Sequence, residues 1–184
     1  MEMIKDKYQE IIDNAECLYD ISQVNAAIDK MGQEITAKIG DKNPIILTVM
    51  TGALIFTGNL VLRLPFALEM DYIHATRYRG TTRGGDLHWK VEPRIDLANR
   101  TVLIVDDILD GGITMAAIMD YCNQAGASEV YSAVLVDKKR VREPGVDFES
   151  DFVGLSAENK YLFGYGLDYE EYLRNVPGIY AVKD

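Results

Sequence analysis

Three continuous apolar runs and one amphipathic segment dominate the hydrophobic pattern of the chain. The runs cover residues 45–50, 101–105 and 130–136, and such uninterrupted stretches are typical of strands that are covered on both faces. The amphipathic segment has an apolar residue at every third or fourth position, which predicts a helix. Its apolar positions are Val24, Ile28, Met31, Ile35 and Ile39. We place the N-cap of this helix at Ser22 and its end at the polar turn 40–44.

Further helices are predicted between the apolar strands. One helical stretch follows Gly52 and runs to about Arg63, and another begins at about Thr114 and ends near Gly126. The apolar face of the second is formed by Met115, Ile118, Met119 and Cys122. Apolar strands that alternate with helices predict an α/β fold, in which a mostly parallel, twisted sheet is flanked by helices.

The other segments have weaker patterns. Residues 1–20 predict a short helix or an arm, and residues 71–75 predict a further strand. The last third of the chain contains three short strand-like pieces, at 152–155, 161–165 and 179–182. Residues 77–85 are polar, basic and rich in glycine, which predicts a long exposed loop. Such loops are uncommon in compact domains unless they act as lids or binding loops.

Length and charge narrow the classes of function. A chain of 184 residues is long enough for one domain. Its net charge of −10 argues against a protein that coats nucleic acid, although a local basic pocket for a small anion remains possible. Two cysteines cannot form a disulfide framework, which favours a reducing cytoplasm. We find neither a secretory signal nor an apolar run near the ~18 residues of a membrane span, so we expect no membrane partner.

The segment after the second apolar run carries the candidate chemistry. Carboxylates come first, followed by two glycines and by a threonine that opens the next helix. These residues are Asp106, Asp107, Asp110, Gly111, Gly112 and Thr114. In open α/β sheets, ligands bind beyond the carboxyl ends of strands, and the N-terminus of a helix attracts anions. The glycine and threonine half therefore suits a phosphate group, whereas the carboxylate half suits sugar hydroxyls, a metal ion or a proton.

Other motifs fit this segment less well. A Walker A loop requires a lysine before its Ser or Thr, and Gly112-Ile113-Thr114 has none. The G-x-G-x-x-G fingerprint of dinucleotide-binding proteins is absent. Asp106-Asp107-x-x-Asp110 matches the D-D-x-x-D metal motif of prenyl-transferring enzymes, but those enzymes carry it on long helices, whereas here it follows a predicted strand.

Residues 102–114 resemble the phosphoribosyl pyrophosphate motif of type I phosphoribosyltransferases. That motif consists of an apolar strand, two acids, two apolar residues, Asp, a small residue, Gly, any residue and Thr. Residues 160–169, with Arg174 after them, look like the purine-binding end of hypoxanthine-guanine phosphoribosyltransferases, and 151–154 also fit that family. The resemblance runs from about residue 45 to 182.

The resemblance implies a fold and a domain organisation. We expect the type I phosphoribosyltransferase fold, with a mostly parallel twisted sheet and a small hood subdomain. Residues 1–184 would form a single phosphoribosyltransferase domain with its core at about 40–145. The hood would consist of the N-terminal arm and residues from about 146 to 184.

The resemblance also implies an activity. Such an enzyme transfers the 5-phosphoribosyl group of phosphoribosyl pyrophosphate (PRPP) to N9 of hypoxanthine or guanine, and gives IMP or GMP and pyrophosphate with the help of Mg²⁺. Asp110 would be the catalytic acid or base near the purine N7. Asp106 and Asp107 would accept hydrogen bonds from the ribose hydroxyls and, together with Asp168, would hold the metal ion. The cradle of the 5′-phosphate would consist of Asp110, Gly111, Gly112, Ile113 and Thr114.

Further residues are assigned to the purine by the same resemblance. Lys160 would donate to the 6-oxo group, and Tyr161 would stack on the base. The backbone groups of Leu162 and Asp168 would contact the 2-position. Lys138 would support the pocket for the base or the phosphate.

Residues near the pyrophosphate complete the expected site. Arg174 would face the pyrophosphate, and Thr51-Gly52 matches the short loop that contacts it. Arg77-Tyr78 matches the tip of a mobile lid whose closure would exclude water. The sequence departs from the commonest pattern, which has Lys or Arg in place of Thr51 and Ser in place of Arg77. Asp106 stands where Glu is common, and Ile113 stands where a polar residue is common.

Two alternative functions remain open from the sequence. One is an enzyme with the same chemistry that prefers xanthine. The other is a regulatory protein that binds PRPP without turnover. The resemblance also implies a homodimer or a homotetramer.

Overall fold

The computed structural model describes residues 2–77, 87–139, 142–144, 146 and 148–183. Within these residues the elements follow one another as α1 (Glu2–Asn14), β1 (Glu16–Tyr19), α2 (Ile21–Ile39), β2 (Ile45–Val49), α3 (Leu54–Val61), β3 (Glu69–Arg77), β4 (Leu87–Val91), β5 (Thr101–Leu109), α4 (Ile113–Gln124), β6 (Glu129–Lys139), β7 (Phe152–Glu158), β8 (Leu162–Phe163) and β9 (Ile179–Ala181).

Six strands form the larger sheet, in the order β4-β3-β2-β5-β6-β7. All neighbours in it are parallel except β4, which pairs antiparallel with β3. The three apolar runs become β2, β5 and β6, which lie side by side in the middle of the sheet. This arrangement confirms the predicted α/β fold with a mostly parallel sheet. Strand β4 was not anticipated, because its sequence combines polar and apolar residues without a long apolar run.

The two faces of the larger sheet bury separate apolar clusters. On one face, α2 and α3 cover β-strand residues such as Leu103 and Leu135. On the other face, α4 covers residues such as Ile104 and Val134. Every residue of β2 is buried, as expected for a strand that is covered on both sides. The helices thus hold the central strands rigidly and leave their carboxyl ends at one edge of the sheet.

Helix α2 begins earlier than predicted. Its N-cap is Asp20 rather than Ser22, and a reciprocal capping box forms: Gln23 N–H donates to the Asp20 carboxylate at 2.9 Å, and Asp20 N–H donates to Gln23 Oε1 at 3.0 Å. Asp20 is favoured over Ser22 as the N-cap because Gln23, at the third helical position, provides a reciprocal contact: its side chain accepts a hydrogen bond from the N-cap backbone. The predicted apolar face is confirmed, since Val24, Ile28, Met31, Ile35 and Ile39 are all buried.

A second, three-stranded sheet has the order β1-β9-β8, and all its pairs are antiparallel. It joins the segment after α1 to the end of the chain, because β1 pairs with β9. Strand β7 belongs instead to the larger sheet, where it pairs with β6. The predicted hood from about residue 146 therefore includes one strand of the larger sheet, and the division into core and hood stays a prediction.

Strand β5 is longer than the apolar run that predicted it. It continues to Leu109, so Asp106 and Asp107 lie within the strand rather than after it. Their pairing with β6 continues as well: Asp106 lies opposite Val134, and Leu109 lies opposite Asp137. Backbone pairing to β6 explains the extension, because it holds polar residues in the strand that the hydrophobic pattern alone would place in a turn.

No helix in the described part of the chain is both long and apolar enough to cross a membrane.

The buried Asp71 on β3 ties this strand to the segment that leads into β5. Its carboxylate accepts hydrogen bonds from the backbone N–H groups of Tyr72 at 2.9 Å, Arg94 at 2.6 Å and Ile95 at 2.9 Å. Burial opposes ionisation, but the three backbone donors outweigh it and lower the pKa of Asp71. The charged form of Asp71 therefore stabilises the folded protein.

We expect Asp71→Asn to lower the free energy of unfolding by about 1–3 kcal/mol at pH 7, because hydrogen bonds to a charged acceptor are lost. A lowered pKa in the folded state gives stability that is present above the unfolded pKa and is lost as the pH falls through the folded pKa. The difference between the wild type and Asp71→Asn, measured by urea unfolding, should therefore shrink at acidic pH. The exposed Asp41→Asn serves as the control, and an equal effect of both variants would contradict the assignment.

Candidate active site

The carboxyl ends of β2, β5 and β6 meet at one edge of the larger sheet, where a cavity of about 380 Å³ opens. It is lined by Met50, Thr51, Gly52, Asp106, Asp107, Ile108, Asp110, Lys138, Tyr161, Leu162, Leu167, Asp168 and Arg174. The residues come from the turn after β2, from the end of β5, from the end of β6 and from the segment around β8. This is the place at which open α/β sheets bind their ligands.

A second cavity of about 250 Å³ adjoins the first along the end of β5. Both cavities are lined by Asp106, Asp107, Ile108 and Asp110, and the second is also lined by Leu109, Gly111, Gly112, Thr114 and Met115. The N-cap of α4 is Gly112, whose φ of 83° suits glycine, and no side chain caps this end of the helix among the described residues. An uncapped helix start with close backbone approach suits an anion such as a phosphate group.

Asp106 and Asp107 form a tightly coupled pair of carboxyl groups. Burial, followed by the charge of Asp107, raises the pKa of Asp106 well above its ordinary value. Burial also raises the pKa of Asp107, although the positive charge of Arg174 opposes this shift. Ligands that bring hydrogen-bond donors or positive charge favour the ionised form of such a pair. The pair is therefore suited to sugar hydroxyls or to a metal ion.

The turn at Gly52 is held between two neighbours that leave no space for a side chain. A Cβ atom at Gly52 would overlap the carboxylate of Asp107, and a Cβ atom at Gly166 would overlap the carbonyl oxygen of Gly52. Gly166 also has a φ of 108°, which other residues rarely adopt. The peptide bond between Met50 and Thr51 is cis. The two glycines bring the turn after β2, the end of β5 and the segment after β8 into direct contact.

Arg174 fixes the loop that follows β8. It forms an ion pair with Asp168 at 2.9 Å and donates to the carbonyl oxygen of Gly166 at 2.7 Å. The other carboxylate oxygen of Asp168 accepts from the backbone N–H of Glu171 at 2.9 Å. Asp168 and Arg174 thus lie together on the cavity wall, and they present both signs of charge to a ligand.

The two lysines that the resemblance assigned to the site lie in different places. The Lys138 side chain is only 12% exposed, and its Nζ lies 3.7 Å from Oδ1 of Asp110 on the cavity wall. Lys160 instead forms an ion pair of 2.6 Å with Glu16 on β1, and neither described cavity is lined by it. The predicted contact of Lys160 with the base therefore stays a prediction, and in this structure its ammonium group pairs with Glu16 instead. The strand pairing of β1 brings Glu16 close, and a local motif cannot reveal that contact.

Tyr161 belongs to an aromatic cluster on the rim of the cavity. It is 54% exposed and meets Tyr169 edge-on, with ring centroids 5.3 Å apart. Tyr8 of α1 stacks on Tyr172 at 4.4 Å and meets Tyr169 at 6.4 Å. The exposed face of Tyr161 is available for stacking on a planar ligand, and α1 supports the aromatic residues behind it.

The remaining predicted site residues have different outcomes. Ile113 begins α4, and in the described part of the chain it lines neither cavity. Tyr78 and the side chain of Arg77 lie outside the described residues. Sequence reasoning missed Met50, Ile108 and Leu167 on the cavity wall, because isolated apolar residues give no signal of a site. The pair Gly164 and Gly166 was a signal of positive φ or close backbone approach, but it did not show that Gly166 lies against Gly52.

The fold places this cavity at the carboxyl ends of parallel strands, and comparison with known proteins identifies the family. The family model described as "Phosphoribosyl transferase domain" matches residues 14–170. The chain therefore belongs to the phosphoribosyltransferase family.

Similar proteins share most of their length with this chain. The hypoxanthine-guanine-xanthine phosphoribosyltransferase of Tritrichomonas foetus is 33% identical over 167 residues, which is 91% of each chain. The hypoxanthine-guanine phosphoribosyltransferase of Aquifex aeolicus is 34% identical over 163 residues, which cover 88% of this chain and 90% of that protein. A solved hypoxanthine-guanine-xanthine phosphoribosyltransferase structure superposes with a TM-score of 0.84 at 30% identity, and covers 94% of this chain and 99% of that one.

We expect Gly52→Ala to lower phosphoribosyl transfer by about 100-fold or more, because the added methyl group displaces Asp107, and small misplacements in a site can cost this much. Gly58 on α3 provides the matched control, since a Cβ atom there meets nothing within 4 Å. Gly58→Ala should keep full activity and should raise stability by about 0.5–1 kcal/mol. Steady-state kinetics and thermal unfolding of both variants test this, and an active Gly52→Ala enzyme would contradict the close packing.

Proposed function

We propose that the chain transfers the 5-phosphoribosyl group of PRPP to N9 of hypoxanthine or guanine, and that it thereby serves purine salvage. The observation that carries this proposal is the pair of adjoining cavities along the end of β5. One is lined by the glycine turn of the phosphate motif. The other combines Asp110 and Lys138 with Asp168 and Arg174. A nucleotide has corresponding parts, because its ribose connects a phosphate group at one end to a base at the other.

The proposed reaction forms the bond between N9 and C1′ while the bond from C1′ to the pyrophosphate oxygen breaks. The purine then loses the proton on N7, which the carboxylate of Asp110 accepts. The carboxylates of Asp106 and Asp107 accept hydrogen bonds from the ribose hydroxyls. Their negative charge also stabilises the positive charge that develops on the ribose ring in the transition state.

The residues at the site fit a magnesium ion that arrives with the donor. In the described part of the chain, no group of three or more His, Cys, Asp or Glu side chains could hold a metal ion by itself. Mg²⁺ is commonly bound by one or two carboxylates together with substrate phosphates and water. Asp106, Asp107 and Asp168 line the cavity and supply such carboxylates. When bound, the ion would neutralise charge on the pyrophosphate leaving group.

We assign recognition of the 6-oxo group to Lys138 in place of Lys160. Lys138 lies on the cavity wall beside Asp110, so its ammonium group can donate to an oxygen at the 6-position while Asp110 faces N7. Tyr161 would stack on the base. The backbone groups of Leu162 and Asp168, which also line this cavity, would contact the 2-position.

The pyrophosphate end of the donor is assigned to other residues that line the same cavity. Arg174 and the turn Thr51-Gly52 would contact the pyrophosphate. Gly111, Gly112, Ile113 and Thr114 would hold the 5′-phosphate through their backbone amides. Arg77 and Tyr78 would close over the site as part of a lid, which excludes water that could hydrolyse the donor.

The decisive assay is conversion of radiolabelled hypoxanthine that depends on PRPP, with and without Mg²⁺. We expect IMP to form only when donor and metal are both present. Asp110→Asn should lower kcat by about 10²–10⁴-fold, since it removes the proton acceptor. The exposed Asp120→Asn on α4 is the matched control and should behave like the wild type. If no purine releases pyrophosphate, the chain is a binding protein rather than an enzyme.

The assignment of the lysines is tested separately. Lys138→Met should raise the KM for hypoxanthine by about 10- to 100-fold, which corresponds to the loss of one hydrogen bond from a charged donor. Lys160→Met should change it little, because Lys160 pairs with Glu16 at the surface. The opposite ranking of the two variants would return the base contact to Lys160.

Use of xanthine is a second candidate, because the T. foetus relative is named for all three 6-oxopurines. Xanthine differs from hypoxanthine and guanine only at the 2-position, so the backbone near Leu162 and Asp168 would decide the preference. Competition among the three purines in one assay separates the candidates. A kcat/KM for xanthine above that for hypoxanthine would establish the xanthine-preferring enzyme.

The proposal also includes a location and an assembly. A cytoplasmic enzyme agrees with a chain whose two cysteines are both free in the structure. A homodimer or a homotetramer agrees with the family resemblance.

A further inference from the structure

Arg142 lies in the segment between β6 and β7, and its guanidinium group reaches several backbone carbonyl oxygens at once. Nη1 donates to Asp110 at 2.9 Å, to Lys138 at 3.3 Å and to Leu109 at 3.4 Å, and Nε donates to Phe148 at 3.3 Å. Its side chain is only 16% exposed. A single side chain therefore connects the end of β5, the end of β6 and the segment before β7.

Asp137 holds this guanidinium group in place. Its carboxylate accepts from Nη2 of Arg142 at 2.6 Å, which provides the opposite charge that a largely buried arginine requires. Asp137 lies opposite Leu109 in the parallel pairing of β5 and β6. The carboxylate therefore aims the planar donors of Arg142 at the two strand ends, and arginine suits this task because its donors form a rigid fork.

The same segment also contacts the phosphate turn. The backbone N–H of Glu143 donates to the carbonyl oxygen of Gly111 at 3.0 Å. Cδ of Arg142 lies 3.6 Å from the position that a Cβ atom would take on Gly112. The segment around Arg142 thus supports the turn from outside the two cavities.

We propose that Arg142 is a positioning residue for the transfer reaction. Among the described residues, Arg142 lines neither ligand cavity, so it acts through others. By binding the carbonyl groups of Asp110 and Lys138, it fixes the backbone of both residues. Lys138 Nζ and Asp110 Oδ1 lie 3.7 Å apart, so that both side chains would face the same part of the purine. This inference rests on the proposed function and adds a residue that neither the motif nor the cavity walls identify.

Arg100 offers a matched comparison elsewhere in the protein. Its Nη2 donates to the carbonyl oxygen of Asn43 at 3.1 Å and pairs with Glu69 at 2.7 Å. Like Arg142, it is partly buried and donates both to a carboxylate and to a backbone carbonyl oxygen. These contacts lie at the amino ends of the strands, away from the candidate site, so loss of Arg100 reports the effect of a structural arginine alone.

The experiment compares Arg142→Lys with Arg100→Lys in the full-length protein. We expect Arg142→Lys to lower kcat/KM for hypoxanthine by about 10- to 100-fold, because even a small displacement of catalytic groups lowers the rate strongly. Arg100→Lys should stay near the wild type. Thermal midpoints are measured for both, and assays are run well below them, so that loss of folded protein does not enter the comparison.

Two further measurements separate positioning from general stability. Millimolar guanidinium ion should restore part of the activity of Arg142→Ala, and should not raise that of Arg100→Ala. Hydrogen exchange of the amides at residues 109–114 should be faster in Arg142→Lys than in the wild type or in Arg100→Lys. An Arg142→Lys enzyme with wild-type kcat/KM, or an activity loss without rescue and with unchanged exchange, overturns the proposal.

The outcomes also distinguish this inference from the proposed function. If the wild type shows no phosphoribosyl transfer, the proposed function fails, and the exchange at residues 109–114 alone decides whether Arg142 fixes the turn. If the wild type is active and the two arginine variants behave alike, only the inference about Arg142 fails.

Discussion

Two adjacent carboxyl groups near the carboxyl end of a central strand, one half-buried and one buried, set the conditions for the whole site. Asp106 and Asp107 repel each other, and burial raises the pKa of both. The structure surrounds this pair with compensating features: the positive charge of Arg174, a glycine turn at Gly52 that packs directly against Asp107, and a helix start just beyond. A ligand that brings hydroxyl donors or positive charge completes the compensation, so the pair favours ligand binding.

Parallel pairing brings the other functional groups to this pair. Strands β2, β5 and β6 are neighbours with the same direction, so residues after each strand meet although they are far apart in sequence. The small sheet then presents the segment around β8 to the same edge. Gly166 touches Gly52 at the point where the segment from the small sheet meets the turn after β2. Catalytic geometry here is therefore a property of the assembled strand ends rather than of one motif.

The parts of this structure that could be predicted are those with local causes. Continuous apolar runs identified β2, β5 and β6, a period of three to four residues identified α2, and residues 102–114 identified the turn between β5 and α4. Contacts that depend on distant partners were missed. Lys160 turns to Glu16 because β1 lies beside it, and Arg142 finds its carbonyl partners on separate segments. The capping box at Asp20 was local and could have been recognised from Gln23.

A crystal structure of the protein with a bound purine nucleoside monophosphate tests the central claim most directly. The account predicts the phosphate on the turn at residues 111–114, the ribose hydroxyls at Asp106 and Asp107, and the base between Lys138 and Tyr161. Density for the nucleotide outside the two cavities, or with the phosphate at Lys138 and the base at the turn, would contradict it.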